Sequence, residues 1–113
     1  AHAGLFGDAA ALLALGREWL QPRRVLTGRQ VERALGGPRG LYALGWARGR
    51  IRGTAGPALD PRSFGHVGFT GGSLWIDPRR RLLCVLLGHR LDARSDLRPW
   101  RRRFHHLAVA QLD

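Results

Sequence analysis

With 113 residues, 44% of them hydrophobic and 24% charged, the chain suffices for one domain with a modest core and is too apolar for general disorder. No apolar run reaches the roughly 18 residues of a membrane helix, no basic stretch leads an apolar run as in a signal peptide, and the lone Cys84 excludes an internal disulfide. The net charge of +11 comes from arginine without any lysine, scattered apart from Arg79-Arg80-Arg81 and Arg101-Arg102-Arg103. Scattered in this way, it reads as surface charge, and no specific nucleic-acid partner is expected.

The first element is a helix over Ala9 to Leu20. Asp8 is a good N-cap, Leu12, Leu13, Trp19 and Leu20 form a helical stripe, and Gln21-Pro22 ends it. Thr27 followed by Gln30 matches a capping box for a second helix bearing Val31, Ala34 and Leu35, stopped by Gly36-Gly37-Pro38.

Strand patterns follow. Tyr42 to Trp46 reads as a short strand, and Gly53 to Ser63 as a loop rich in Gly and Pro. The runs Phe64–Phe69, Ser73–Ile76 and Leu82–Leu87 are further strands, the last two joined by the turn sequence Asp77-Pro78-Arg79-Arg80-Arg81. Leu82 to Leu87, with Cys84 as a small hydrophobe, is apolar on both faces, which predicts a central strand covered on both sides. Ser95 or Asp96 caps a final helix with Pro99 in its first turn, and Leu97, Trp100, Phe104, Leu107 and Ala108 make the stripe expected to lie on the sheet.

Helices, then antiparallel strands, then a helix indicate an α+β fold. The expected architecture is an antiparallel sheet of three to four strands, two helices before it and the C-terminal helix packed on one face. The expected segments of this single unit, 1–113, are 1–40 helical, 41–90 stranded and 91–113 the last helix.

Few residues carry chemistry by spacing alone. His105 and His106 are adjacent, so on a helix they point about 100° apart and cannot hold one metal ion. No metal site and no cofactor are expected. Ser63 and Ser73 lie in neither a G-x-S-x-G elbow nor an S-x-x-K helix start, and Gly65, Gly68, Gly71 and Gly72 precede no phosphate-binding helix.

The run Phe64-Gly65-His66-Val67-Gly68-Phe69-Thr70-Gly71-Gly72-Ser73-Leu74-Trp75-Ile76-Asp77-Pro78 closely resembles the F-G-H-T-G-F-T-G-T-S-L-W-I-D-P stretch of the serine β-lactamase and penicillin-binding-protein-like family, which includes class C-type β-lactamases, D-alanyl carboxypeptidases and esterases. His2 to Gly7, Tyr42 to Trp46 (family Y-G-L-G-W), Leu86 to Arg90 (family L-L-T-N-R) and the C-terminal helix extend the resemblance over essentially all 113 residues. It implies the C-terminal part of the β-lactamase/transpeptidase-like fold. There H-T-G stands for the K-T-G of other penicillin-recognising enzymes, on a strand lining the active-site cleft. By position His66 is then the basic residue, Gly68 the glycine that lets substrate approach, and Phe69 the donor of an oxyanion-hole N–H.

Two departures qualify the implied activity. Val67 replaces the family's threonine, removing a hydroxyl from this substrate-binding position and favouring an ester-type or degenerate relative over a penicillin-recognising one. The chain contains no Lys and no Asn, so neither S-x-x-K nor Y-x-N (or S-x-N) is present and the nucleophile is missing. The expectation is a fragment, inactive alone, of a hydrolase acting on β-lactams, D-alanyl peptides or small esters. Its expected partners are the N-terminal part of the same fold or a second copy, with a small-molecule or peptide substrate only in the complete protein. The alternative is a non-catalytic binding or assembly module derived from that fold. The family is compatible with an exported, periplasmic or extracellular, parent.

Overall fold

The computed structural model of the chain describes residues 5–37, 40–49, 54–89 and 96–112. Element order is α1 (Ala9–Leu20), α2 (Gly28–Leu35), β1 (Ala47–Arg48), β2 (Phe64–Val67), β3 (Gly71–Asp77), β4 (Leu82–His89) and α3 (Arg98–Ala110). The four strands form an antiparallel meander in the order β1-β2-β3-β4, so the fold is α+β as expected.

Both early helices start where their capping residues place them. Asp8 Oδ1 accepts from Ala11 N–H at 2.8 Å, and Thr27 and Gln30 form the reciprocal capping box. The linker between them is wound around one carboxylate. Glu18 Oε1 accepts from the N–H groups of Arg23, Arg24, Val25 and Leu26 at 2.8–3.0 Å. These bonds, that of Leu26 foremost, hold the Glu18 pKa down at about 2. A lowered carboxylate pKa gives stability that is complete above its unfolded value near 4.5 and lost as pH falls towards 2. Urea midpoints should therefore fall between pH 4.5 and 2.5, with a component missing in Glu18→Gln. Equal pH slopes for the two proteins would show that the carboxylate does not hold the linker.

Strand alternation divides the core into two layers. On the α1 face, Trp46, Phe64, Leu74 and Ile76 are buried with Trp19, Leu20, Leu35, Leu83 and Val85 packed against them. Trp19, Trp46 and Phe64 meet edge to face, with ring centroids 5.3–6.0 Å apart. Gly16 brings α1 down onto β4, since a Cβ there would come within 2.9 Å of Leu83. On the α3 face, Ala47, Ala55, Leu59, Trp75 and Cys84 are buried beneath Phe104, Ala108 and Val109. Burial raises the Cys84 thiol pKa to about 11, so it remains protonated at neutral pH.

Three local expectations change. Tyr42 to Trp46 is not a strand but a tight turn. Ala43 N–H donates to Trp46 O at 2.8 Å, and Gly45 supplies the left-handed φ of 78°. Only Tyr42 bridges to Ala47, and β1 begins there. Leu82 to Val85 packs on both faces, towards α1 and α3, but Leu87 is half exposed and β4 ends the described sheet; the interior strand buried at every position but Gly72 is β3. The third change is the rotation of α3. Arg101 and His105 face the sheet with Phe104 and Ala108, while Trp100 and Leu107 of the expected stripe are exposed. The N-cap of α3 is Leu97, with no side-chain cap bond, and not Asp96, which lies one residue earlier and accepts from Arg98 N–H at 2.9 Å; Pro99 lies in the first turn, and Ser95 is outside the described residues.

Candidate functional site

The segment singled out by sequence lies at the C-terminal end of β2 and in the turn that follows. His66 pairs with Leu74 and Val67 with Ser73, and the turn is closed by Gly68 N–H to Gly72 O at 2.7 Å and Gly71 N–H to Gly68 O at 3.0 Å. Neither bond uses the N–H of Phe69, whose side chain is 89% exposed at the tip.

Alternation splits the four residues. His66 shares the face of Phe64 and is exposed, whereas Val67 turns to the α3 face and packs against the Trp75 layer. Val67 and Gly68 line a cavity of about 380 Å³ together with Gly71, Leu97, Arg98 and Arg101. His66 and Phe69 are outside that lining.

The glycines of this strand differ in cause. A Cβ on Gly65 would strike the Leu74 carbonyl oxygen and come within 2.6–2.7 Å of the Trp75 ring, so packing within the chain requires glycine there. A Cβ on Gly68 would meet nothing closer than 3.6 Å, and Gly68 is not among the residues with left-handed φ. Its lack of a side chain is not demanded by the chain's own fold.

The cavity's cationic wall was not expected from the sequence. Arg101 is buried and its NH2 group approaches Gly71 O at 3.4 Å, while Arg98 bonds through Nε to both oxygens of Asp96 at 2.8–2.9 Å. A signal was available: Arg101 and His105 are four apart, one helical turn, and so share a face. His105 is fully buried, edge-on to Trp75, with Nδ1 donating to Ala55 O at 2.6 Å. Burial lowers its pKa below 6.5 and the Arg101 charge adds to this, against the opposing Ala55 bond. A depressed histidine binds its proton more readily when unfolded. Its contribution to stability is complete above pH 6.5 and lost as pH falls through the folded pKa. Between pH 7.5 and 5.5 the urea midpoint should drop more for the parent chain than for His105→Gln; equal drops would refute this. That window lies above the one set by Glu18, so the two effects separate.

No group of three or more His, Cys, Asp or Glu residues placed to hold a metal ion exists among the described residues. No helix among them is long and apolar enough to cross a membrane.

No protein-family model matches the sequence, and comparison with curated proteins finds no match. Among solved structures the chain is similar to a β-lactamase from Mycobacterium bovis, with a TM-score of 0.76 and 22% sequence identity. The similarity covers 92% of this chain and 44% of that one, so the chain spans less than half the length of that β-lactamase. Helix order, the four-stranded meander and the C-terminal helix together are part of a β-lactamase-like α+β fold.

Proposed function

We propose that this chain is the C-terminal portion of a β-lactamase-related serine hydrolase domain and supplies one wall of an acyl-transfer site. In this reading His66 is the basic residue, Phe69 N–H one oxyanion donor, and Val67 and Gly68 the substrate-facing strand. The nucleophile and general base come from outside these 113 residues, which hold neither S-x-x-K nor Y-x-N. Substrates are β-lactams, D-alanyl peptides or small esters.

The observation that carries this reading is the contrast between the two strand glycines. Gly65 is required by internal packing, whereas Gly68 has space beside it, which leaves room for a substrate backbone to approach. The turn beyond it also leaves the Phe69 N–H out of its own hydrogen bonds.

Purified alone, the chain is expected to turn over neither a chromogenic cephalosporin nor a p-nitrophenyl ester, and to take no label from a fluorescent penicillin. A label on Ser63, Ser73 or Ser95 would overturn the assignment of the nucleophile. In a complete protein containing it, His66→Gln should lower kcat/KM on the ester by about 10²–10⁴. Gly68→Ala should leave the melting temperature unchanged while lowering kcat/KM. Unchanged kinetics in both variants would refute the site.

A second reading, a non-catalytic assembly module, is favoured by the free edge of β4. This eight-residue strand ends the described sheet, and its Leu87 is half exposed. Unpaired edges of this kind recruit a further strand, from the rest of the fold or from a second copy. Concentration-independent monomeric elution with no hydrophobic-dye binding would remove this reading.

A further inference from the structure

We infer that the groove between α2, β1 and the segment leading into β2 is a binding site for a small amphipathic carboxylate. It is a cavity of about 910 Å³. That is near the top of the range of about 300–1,000 Å³ common to small-molecule sites. It lies at the end of β2 opposite Val67 and Gly68 and shares no lining residue with their cavity, so it is independent of the hydrolase reading.

The apolar part of the wall comes from α2 and its neighbours. Val31 and Leu35 of α2 face Ala43 and Phe64 across the groove, and no residue of α2 is fully buried. The helix carries its apolar stripe towards this space with the stripe left only partly covered. An alkyl or aryl tail would complete that burial, at roughly 25 cal/mol per Å² of apolar surface covered.

The polar part specifies the head group. Ser63 is 1% exposed and lines the groove beside Arg48. Among the described residues, Ser63 Oγ and Arg48 Nε are buried atoms with no hydrogen-bond partner. Both can donate, and a pair of donors lacking an acceptor is matched by an oxyanion. Arg48 NH2 donates to Gly37 O at 3.2 Å, which holds the guanidinium at the end of α2. Arg62 is engaged by Asp60 at 3.1 Å, so Arg48 is the residue left to meet the head group.

Octanoate is the probe, with octanol (tail without charge) and acetate (charge without tail) as controls, followed by amide shifts in the ¹⁵N-labelled chain. Octanoate should shift Val31, Leu35, Arg48, Ser63 and Phe64 saturably, and acetate should not saturate. Octanol should bind about tenfold more weakly, the loss expected for one charge-assisted hydrogen bond. Arg48→Gln should bring octanoate down to the octanol level, and Glu32→Gln, at an exposed position, should tighten octanoate severalfold. Equal binding of octanoate and octanol would overturn the proposal, as would shifts centred instead on the exposed Leu5, Phe6 or Leu107. Should Arg48→Gln fail to fold, the Glu32 variant decides: no tightening means no carboxylate site.

Discussion

Replacing Gly65 by alanine is expected to destabilise the chain by about 3 kcal/mol or more, a large share of the roughly 5–15 kcal/mol that holds a domain together. The added methyl would occupy the space of the Leu74 carbonyl oxygen and of the Trp75 ring, which is completely buried. Neither neighbour can yield easily. The carbonyl belongs to the central strand, and Gly65 pairs with Trp75 across β2 and β3. The ring is held from its other side by the edge-on contact with His105, at a centroid distance of 6.4 Å. Relief therefore requires parting β2 from β3 or lifting α3. Thermal melts followed by circular dichroism provide the measurement, with Gly68→Ala as the control expected to stay within about 0.5 kcal/mol of the parent. A Gly65→Ala protein melting within a few degrees of the parent would show that the strands can separate at little cost.

Asp77→Ala should cost about 3 kcal/mol, because it leaves buried donors without their acceptor. Asp77 is fully buried at the end of β3, and its carboxylate serves two segments at once. Oδ1 accepts from Arg80 N–H at 3.1 Å, shaping the turn into β4, while Oδ2 accepts from Asp60 N–H at 3.0 Å and pairs with Arg80 NH1 at 2.9 Å. Asp60 in turn pairs with Arg62 and Arg79 at 3.1 and 3.5 Å. The two aspartates thus fasten the irregular segment before β2 to the β3–β4 turn, and β2 starts from that anchor. Hydrogen exchange should find the Asp60 amide strongly protected in the parent and at least tenfold faster in Asp77→Ala, together with a lower urea midpoint. An unchanged Asp60 exchange rate would mean that the anchor is not the source of the loop's order.

Elements decided by neighbours in sequence were legible in advance. Asp8 and Thr27 start α1 and α2 because a capping side chain reaches only two or three residues along its own chain. Asp77-Pro78 marked the β3–β4 turn for the same reason, and the run around His66 lies on a strand as expected. The turn at Ala43 to Trp46 was missed although Gly45 carried the signal, because apolar flanks on both sides imitate a strand.

The candidate site was legible only as a line of letters. The sequence put His66, Val67, Gly68 and Phe69 side by side. The pleat sends Val67 to the α3 face and leaves His66 on the other, and the cavity beside Val67 and Gly68 is completed by Arg98 and Arg101, some thirty residues further on.

By itself the sequence determined the α+β class, the helix starts, the strand runs and the resemblance on which the functional reading stands. Tertiary structure alone decided that β3 lies inside the sheet, that β4 ends the described sheet, and that α3 turns Arg101 and His105 inward. The reason is the range of the forces involved. Caps and turns act within a few residues, whereas burial depends on partners distant in sequence. A run such as Leu82 to Leu87 looks the same whether its edge is paired or open, so its place in the sheet follows from the partners it finds.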